Sequence, residues 1–567
     1  MTRIELPRER KVGHLTLIRE ARSITPKEFN ALRAEERLEM IRHAQGRQKY
    51  NLMLEAGDFG ELIWRLPAQD IYLLIKELGF EAVAELLPHL SVPQFTACLD
   101  LDGWQGDVLD AVAVFPWLAS LLERSEEEIV RLLEDLDFPL LVLVFRTFVT
   151  VTAGPDDIED EEVRIEATQH DGGYVLDFRD SEQAKVVGAL LGLVFRQDRE
   201  FFTFLMEAMR HESQAILEED VYQQRRGRLE DLGFPDPFSA LAVYSWLDPD
   251  TFTPAVVRKL APEPAEEEVI PPGFLLAAGR SRDLFAEVLG EGLAPAELWE
   301  LTFLINKVLI ADRVDVGDAE VVQQSAEEVY HTLSLALEFL AGDDVTRARE
   351  VFGSCYVEHL FQVGYSLLLR LQRRATAVAG SVVAPYLDGP FRALVEALRR
   401  SKPRFFRGIE RVDQGGERSF ATLREVRLAE EWLERLEVQQ RLFTDALPFR
   451  LPTPEAFDLV GCIPESGDDM ALSDFFLTAL ANRLLGRSFA PTPIHSTELP
   501  ALHGRICAAG RLVSGLREET AAWLESLLPG AGAFGDYCLD LWEEEFCPTR
   551  PEDLDPRYLG GLIVRLV

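Results

Sequence analysis

Ile75-Lys76-Glu77-Leu78-Gly79-Phe80, Leu133-Glu134-Asp135-Leu136-Asp137-Phe138 and Leu229-Glu230-Asp231-Leu232-Gly233-Phe234 are three versions of one phrase, a leucine-rich helix end followed by an aromatic residue. Gly79 and Gly233 can take the left-handed conformation just after a helix at little cost, and Asp137 at modest cost. The phrase therefore predicts three Schellman endings, with Phe80 on Ile75, Phe138 on Leu133 and Phe234 on Leu229. Helix starts recur as densely. Thr25-Pro26-Lys27-Glu28, Ser91-Val92-Pro93-Gln94 and Ser125-Glu126-Glu127-Glu128 fit the capping box, in which a hydroxyl and the residue three later each satisfy an orphan backbone N–H.

Between these signals the spacing predicts helices over 61–66, 70–78, 81–87, 93–99 and 126–136. Helices this short, separated by Pro67, Pro88 and Pro93, cannot bury their apolar faces alone and must stack on neighbours. Superposing Asp70-Ile71 on Glu128-Ile129 matches Leu74 to Leu132, Leu78 to Leu136 and Phe80 to Phe138. The third copy falls at a different interval, so the period is irregular. The fold class that follows is mainly all-α, an irregular helical-repeat or superhelical stack with one β-hairpin insertion.

That hairpin is read from alternation. Val163, Ile165 and Ala167 face one way, His170-Asp171-Gly172-Gly173 supplies turn residues, and Tyr174, Leu176 and Phe178 resume the pattern. A lone two-stranded hairpin is marginal in water, so its apolar face is expected against a helix or a partner. The expected organisation is a basic segment 1–50, a short-helix domain 51–152, an acidic loop and hairpin 153–182, a helical unit 183–260, a Pro/Glu-rich linker 261–272, a helical domain 273–447 and a C-terminal helical domain 448–567.

The chain has 567 residues, too many for one ordinary core, and a net charge of -39 from 97 acidic and 58 basic side chains. That balance argues against nucleic acid and anionic membranes as partners of the whole molecule. The charge is uneven: residues 1–50 carry 12 Lys or Arg against 7 Asp or Glu, whereas 51–170 carry 6 against 25. A contact between the two segments, a basic partner and plain solvated faces are all consistent with it. Six cysteines without a C-x-x-C pair argue for buried thiols in a reducing compartment rather than a disulfide framework. Met1 to Arg8 lacks the apolar core of a signal peptide, and the runs 138–151 and 186–195 fall short of the roughly 20 residues a membrane span needs. A cytoplasmic protein is expected.

Leu66-Pro67-Ala68-Gln69-Asp70-Ile71, with Leu74, Leu78 and Glu85-Leu86-Leu87-Pro88, resembles the cytosolic N-terminal helical domain of MgtE-type magnesium transporters and its relative in the flagellar motor switch protein. The resemblance covers about residues 55–150. It implies a right-handed stack of short helices used for regulation or protein contact, without transport. The chain as a whole, including Arg228 to Pro235 and Pro403-Arg404-Phe405-Phe406-Arg407-Gly408, also looks like a family of uncharacterised bacterial proteins, which brings no activity with it.

Chemistry-bearing patterns are few. On a helix read as continuous from 198 to 229, Glu207, His211, Glu218, Tyr222 and Arg225 fall on one stripe. Glu207, His211 and Glu218 could hold a metal, and the same stripe is what the wet face of an amphipathic helix looks like. Arg399, Arg400, Lys402, Arg404 and Arg407 form a basic patch around Phe405 and Phe406 that could take an anion, dock a protein surface or simply meet solvent. The acidic run Asp156 to Glu162 lacks the ligand spacing of an EF-hand. Gly530-Ala531-Gly532-Ala533-Phe534-Gly535 matches a dinucleotide loop but follows a helical pattern rather than a strand. His359, four residues after Cys355, reads as a core histidine. No local catalytic motif and no cofactor site is found. The sequence thus predicts a helical scaffold or regulatory protein acting through unidentified protein partners, the alternatives being a divalent-cation or anionic-ligand sensor, an enzyme with a dispersed site, or a nucleic-acid binder.

Overall fold

The structure, a computed structural model, describes residues 4–5, 9–12, 15–18, 23–44, 46–153, 168–171, 173–254, 283–411, 415–453 and 459–566. The acidic loop 156–162, the strand expected over 163–167 and the linker 261–272 lie outside the described residues. The described residues are mainly helical, with 24 helices and only small β-pairings beside them. It divides into two compact units, residues 1–247 with 251–362, and residues 248–250 with 363–567.

The first unit starts with short helices whose ends are chemically specified. The capping boxes at Thr25, Ser91 and Ser125 all form, and they open helices Pro26–Asn30, Val92–Asp102 and Glu126–Asp135. Residues 81–87, predicted as one helix, form two single turns, Glu81–Val83 and Leu87–His89; Pro88 has no N–H to continue a ladder. Basic side chains from the N-terminal segment bond to the acidic residues that follow. Lys49 Nζ lies 3.1 Å from Asp70 with both side chains buried, and Arg37 forks onto Asp58 at 2.6 and 2.7 Å.

The three phrases end their helices in three ways. Helix Gln214–Asp231 closes as predicted: Gly233 has φ +85°, its N–H donates to Glu230 O at 2.9 Å, and Phe234 N–H donates to Leu229 O at 2.8 Å. Helix Ala68–Leu78 instead ends on one bond, from Gly79 N–H to Ile75 O at 2.8 Å, with Gly79 at φ 84° and ψ 151°. Helix Glu126–Asp135 has no left-handed residue. Asp137, at φ -54°, leads directly into helix Phe138–Phe148, which carries Pro139 in its first turn. The aromatics also find other partners. Phe80 meets the ring of Trp117 edge-on at 4.7 Å, and Phe138 stacks on Phe204 at 4.5 Å.

Buried polar bonds join the three phrase-bearing helices. Asn306, on helix Pro295–Ala311, donates to Leu232 O at 2.8 Å and exchanges hydrogen bonds with Gln69 at 2.8 and 3.1 Å. Arg228, just before the third phrase, forks onto the fully buried Asp100 at 2.6 and 2.9 Å and also pairs with Asp137 of the second. These bonds fix register where apolar contact alone would allow sliding.

The predicted hairpin is part of a larger sheet. Strands Thr168–Asp171 and Tyr174–Phe178 pair antiparallel, and Val149–Ala153 pairs on the other side of Tyr174–Phe178, so that strand is central. The third strand stabilises the hairpin by covering its edge. Val175 is buried along with Leu176 and Phe178, so both faces of the central strand are covered. The helix read as continuous from 198 to 229 is two, Arg199–His211 and Gln214–Asp231. Glu212 is extended, and its carbonyl accepts from Arg146 Nη1 at 3.0 Å.

In the second unit, helices Gly389–Leu398, Leu423–Arg441, Leu472–Leu484, Leu516–Leu527 and Gly532–Leu541 surround an aromatic core that includes Phe475, Phe476, Phe534 and Trp542. The Gly530 loop joins two helices, and both oxygens of Glu525 accept its amides, from Gly530 at 2.9 Å and Gly532 at 3.0 Å. Cys98, Cys355, Cys462 and Cys538 are buried thiols, whereas Cys507 and Cys547 form a disulfide. That pair departs from the all-thiol expectation, and its sequence separation of 40 leaves no local spacing from which to read it. Among the described residues, no helix is long and apolar enough to cross a membrane.

Candidate anion-binding cleft

Three arginines stand where elements of the first unit end. Arg146 is in the last turn of helix Phe138–Phe148 and Arg210 in the last turn of helix Arg199–His211, where the helix dipole favours a cation. Arg179 follows strand Tyr174–Phe178, and its N–H donates to Phe148 O at 3.2 Å. All three line one cleft of about 480 Å³, together with Trp104, Thr147, Thr150 and Gln214.

The arginines are held to different degrees. Arg146 spends one N–H on Glu212 O, and Arg210 Nη1 lies 3.2 Å from Glu207 Oε1. Arg179 is exposed and has no side-chain partner among the described residues. Trp104 enters from the hairpin of Trp104–Gln105 and Val108–Leu109. The Arg225 guanidinium sits 4.7 Å from its ring centroid and fixes the hairpin by donating to Asp100 O and Gly106 O at 3.1 and 3.3 Å. The Trp104 indole N–H is buried without a hydrogen-bond partner. Asp107 and Glu218 also line the cleft, and Glu218 accepts from Gln214 at 2.6 Å. Thr147 spends its hydroxyl proton on Leu143 O at 2.9 Å, and the guanidinium groups with the Thr150 hydroxyl suit a carboxylate or phosphate group.

Of the residues expected to hold a metal, Glu207 and His211 are brought together, 3.3 Å apart, and Glu218 is on the next helix beyond the break at Glu212. Glu207 is already shared: it accepts from Tyr174 OH at 2.6 Å and from Arg210. The Tyr174 bond holds its carboxyl below the usual range, while burial, then Glu207, pushes the Tyr174 hydroxyl up to about 12. Among the described residues no group of three or more His, Cys, Asp or Glu is placed to hold a metal ion.

The basic patch of the second unit is partly spent on its own surroundings. Arg400 pairs with Glu417 at 3.2 Å, and Arg404 donates to Ser419 Oγ. Arg399 and Arg407 are exposed. Sequence reasoning missed Arg179 and Trp104 as site residues. Arg146 lies inside the apolar run 138–151, which it interrupts with a charge, and that was the one available signal.

Compared with known families, residues 26–565 match the model of DUF6178, a family of unknown function. No curated protein matches the chain. No solved structure matches it either. The resemblance of residues 55–150 to the MgtE-type domain has no support in these matches.

Proposed function

The chain belongs to DUF6178, and from that premise we propose that it is a regulatory binding protein: a helical scaffold whose first unit recognises a small anionic molecule and relays its presence to a protein partner. The observation that carries this reading is the convergence of Arg146, Arg179 and Arg210 on one cleft beside the unpartnered Trp104 N–H. Arginines gathered this way in a strongly acidic chain repel one another, and an anion between them relieves that repulsion. The polar walls favour a compact, multiply charged ligand over an apolar one. The stacked helices around the cleft supply the surface for the scaffold role expected from the sequence, acting in the cytoplasm.

Thermal unfolding of the full chain with inorganic phosphate, citrate or chloride at matched ionic strength tests the reading. Phosphate or citrate should raise the midpoint saturably, by linkage of binding to folding, and chloride should not. Equal responses to all three anions would reduce the effect to screening and refute the proposal.

A further inference from the structure

The disulfide of the second unit joins a firmly held cysteine to a loosely held one. Cys547 is buried and directly follows the helical turn Trp542–Phe546, whose two end rings are buried as well. Glu545 of that turn accepts from Gly560 N–H at 2.8 Å, which ties it to the chain beyond. Cys507 is half-buried and stands at the base of a hairpin of only two residue pairs, Cys507 with Leu512 and Ala508 with Arg511.

That hairpin has little of its own to hold it, since an isolated two-stranded pairing is marginal in water. Its turn uses two left-handed residues, and one of them is not glycine: Ala509 has φ +54° and Gly510 +76°. Residues 508–511 are all exposed. The bond to Cys547 gives the hairpin a covalent fastening to the buried side. The remaining cysteines do not compete for it. Cys98, Cys355, Cys462 and Cys538 are buried, and burial pushes the Cys98 and Cys538 thiols up, away from the thiolate form that reacts.

We propose that Cys507–Cys547 is a reversible redox switch, opened by small-molecule thiols, that sets how firmly the hairpin is held. An incoming thiolate attacks the sulfur of the half-buried Cys507, the S–S bond breaks, and Cys547 leaves as a thiolate that takes up the proton the thiol lost. A second thiol attacks the small-molecule sulfur of the mixed disulfide, and Cys507 leaves and is protonated in the same way. Two small thiols are thereby oxidised to one disulfide, and the protein disulfide is reduced to two thiols. The switch lies in the second unit and is independent of the anion cleft in the first.

The test equilibrates the full chain in glutathione buffers of increasing reduced fraction, then quenches with acid, alkylates and maps the cysteines by mass spectrometry. The 507–547 link should open and re-form with the buffer, without any other pairing. Opening a loop of this length should lower the unfolding midpoint by roughly 10 °C. Trypsin should cut after the exposed Arg511 about tenfold faster in the reduced chain, because cleavage follows local opening. Cys507→Ser, at a half-buried position and checked for folding by circular dichroism, should match the reduced chain in both buffers. A link that excess reduced glutathione leaves closed, or one that oxidised glutathione never forms, would overturn the proposal. So would equal cleavage after Arg511 in the oxidised and reduced parent chains.

Discussion

Asp388→Asn should make the second unit more stable above neutral pH. Asp388 precedes helix Gly389–Leu398, is buried, and accepts from Ser473 Oγ on Oδ1 while Oδ2 has no partner. Burial, with the nearby Asp474 carboxylate adding to it, pushes the Asp388 carboxyl from 3.8 up to about 7. A raised carboxyl pKa means that the folded chain holds the proton more tightly than the unfolded chain does. Stability is then greatest below pH ~4, declines as pH rises from ~4 to ~7, and is level above that. The gap of about three units corresponds to about 4 kcal/mol. Asp474, raised to about 6 chiefly by burial, adds a smaller loss of the same sign. Asparagine keeps the acceptor for Ser473 and removes the charge, but places an N–H where Oδ2 has no partner, at a cost of about 1–3 kcal/mol. The variant should therefore gain about 1–3 kcal/mol at pH 8, and its advantage should shrink as pH falls to 5. Urea unfolding at pH 5, 6, 7 and 8 reads this out. A difference independent of pH, or a variant less stable than the parent at pH 8, would refute the reasoning.

Arg228→Ala strands the fully buried Asp100 and should cost about 3–5 kcal/mol, measured by urea unfolding, with Arg228→Lys recovering only part because it cannot fork. Gly233→Ala imposes a left-handed alanine, about 1–2 kcal/mol, and in addition a contact of 2.4 Å with Phe303. Adding Phe303→Ala should restore the second part and not the first, as thermal unfolding of the double variant would show.

Helix starts were legible because capping chemistry is local: Thr25, Ser91 and Ser125 each carry their partner three residues on. Helix ends were less so. Asp137 sits where glycine does in the other phrases, but its carboxylate is committed to Arg228 and its backbone to the next helix, which only the tertiary arrangement reveals. The alternating Val149-Thr150-Val151-Thr152 signalled a strand and was submerged in the apolar run before it. The break at Glu212-Ser213 escaped because the apolar period continues across it. The cleft could not be read in advance, since Trp104, Arg146, Arg179 and Arg210 lie on separate elements with no motif spacing between them.

The central claim is that the first unit binds a compact anion through these arginines. Calorimetric titration of pyrophosphate into the full chain tests it most directly, with Arg179→Ala as the comparison because its side chain has no partner among the described residues. Loss of a charged hydrogen bond of about 1.5–3 kcal/mol predicts an affinity lower by ~10-fold to ~100-fold, with unchanged thermal stability in the absence of ligand. Undetectable binding by the parent chain, or identical affinity in the two proteins, would contradict the account.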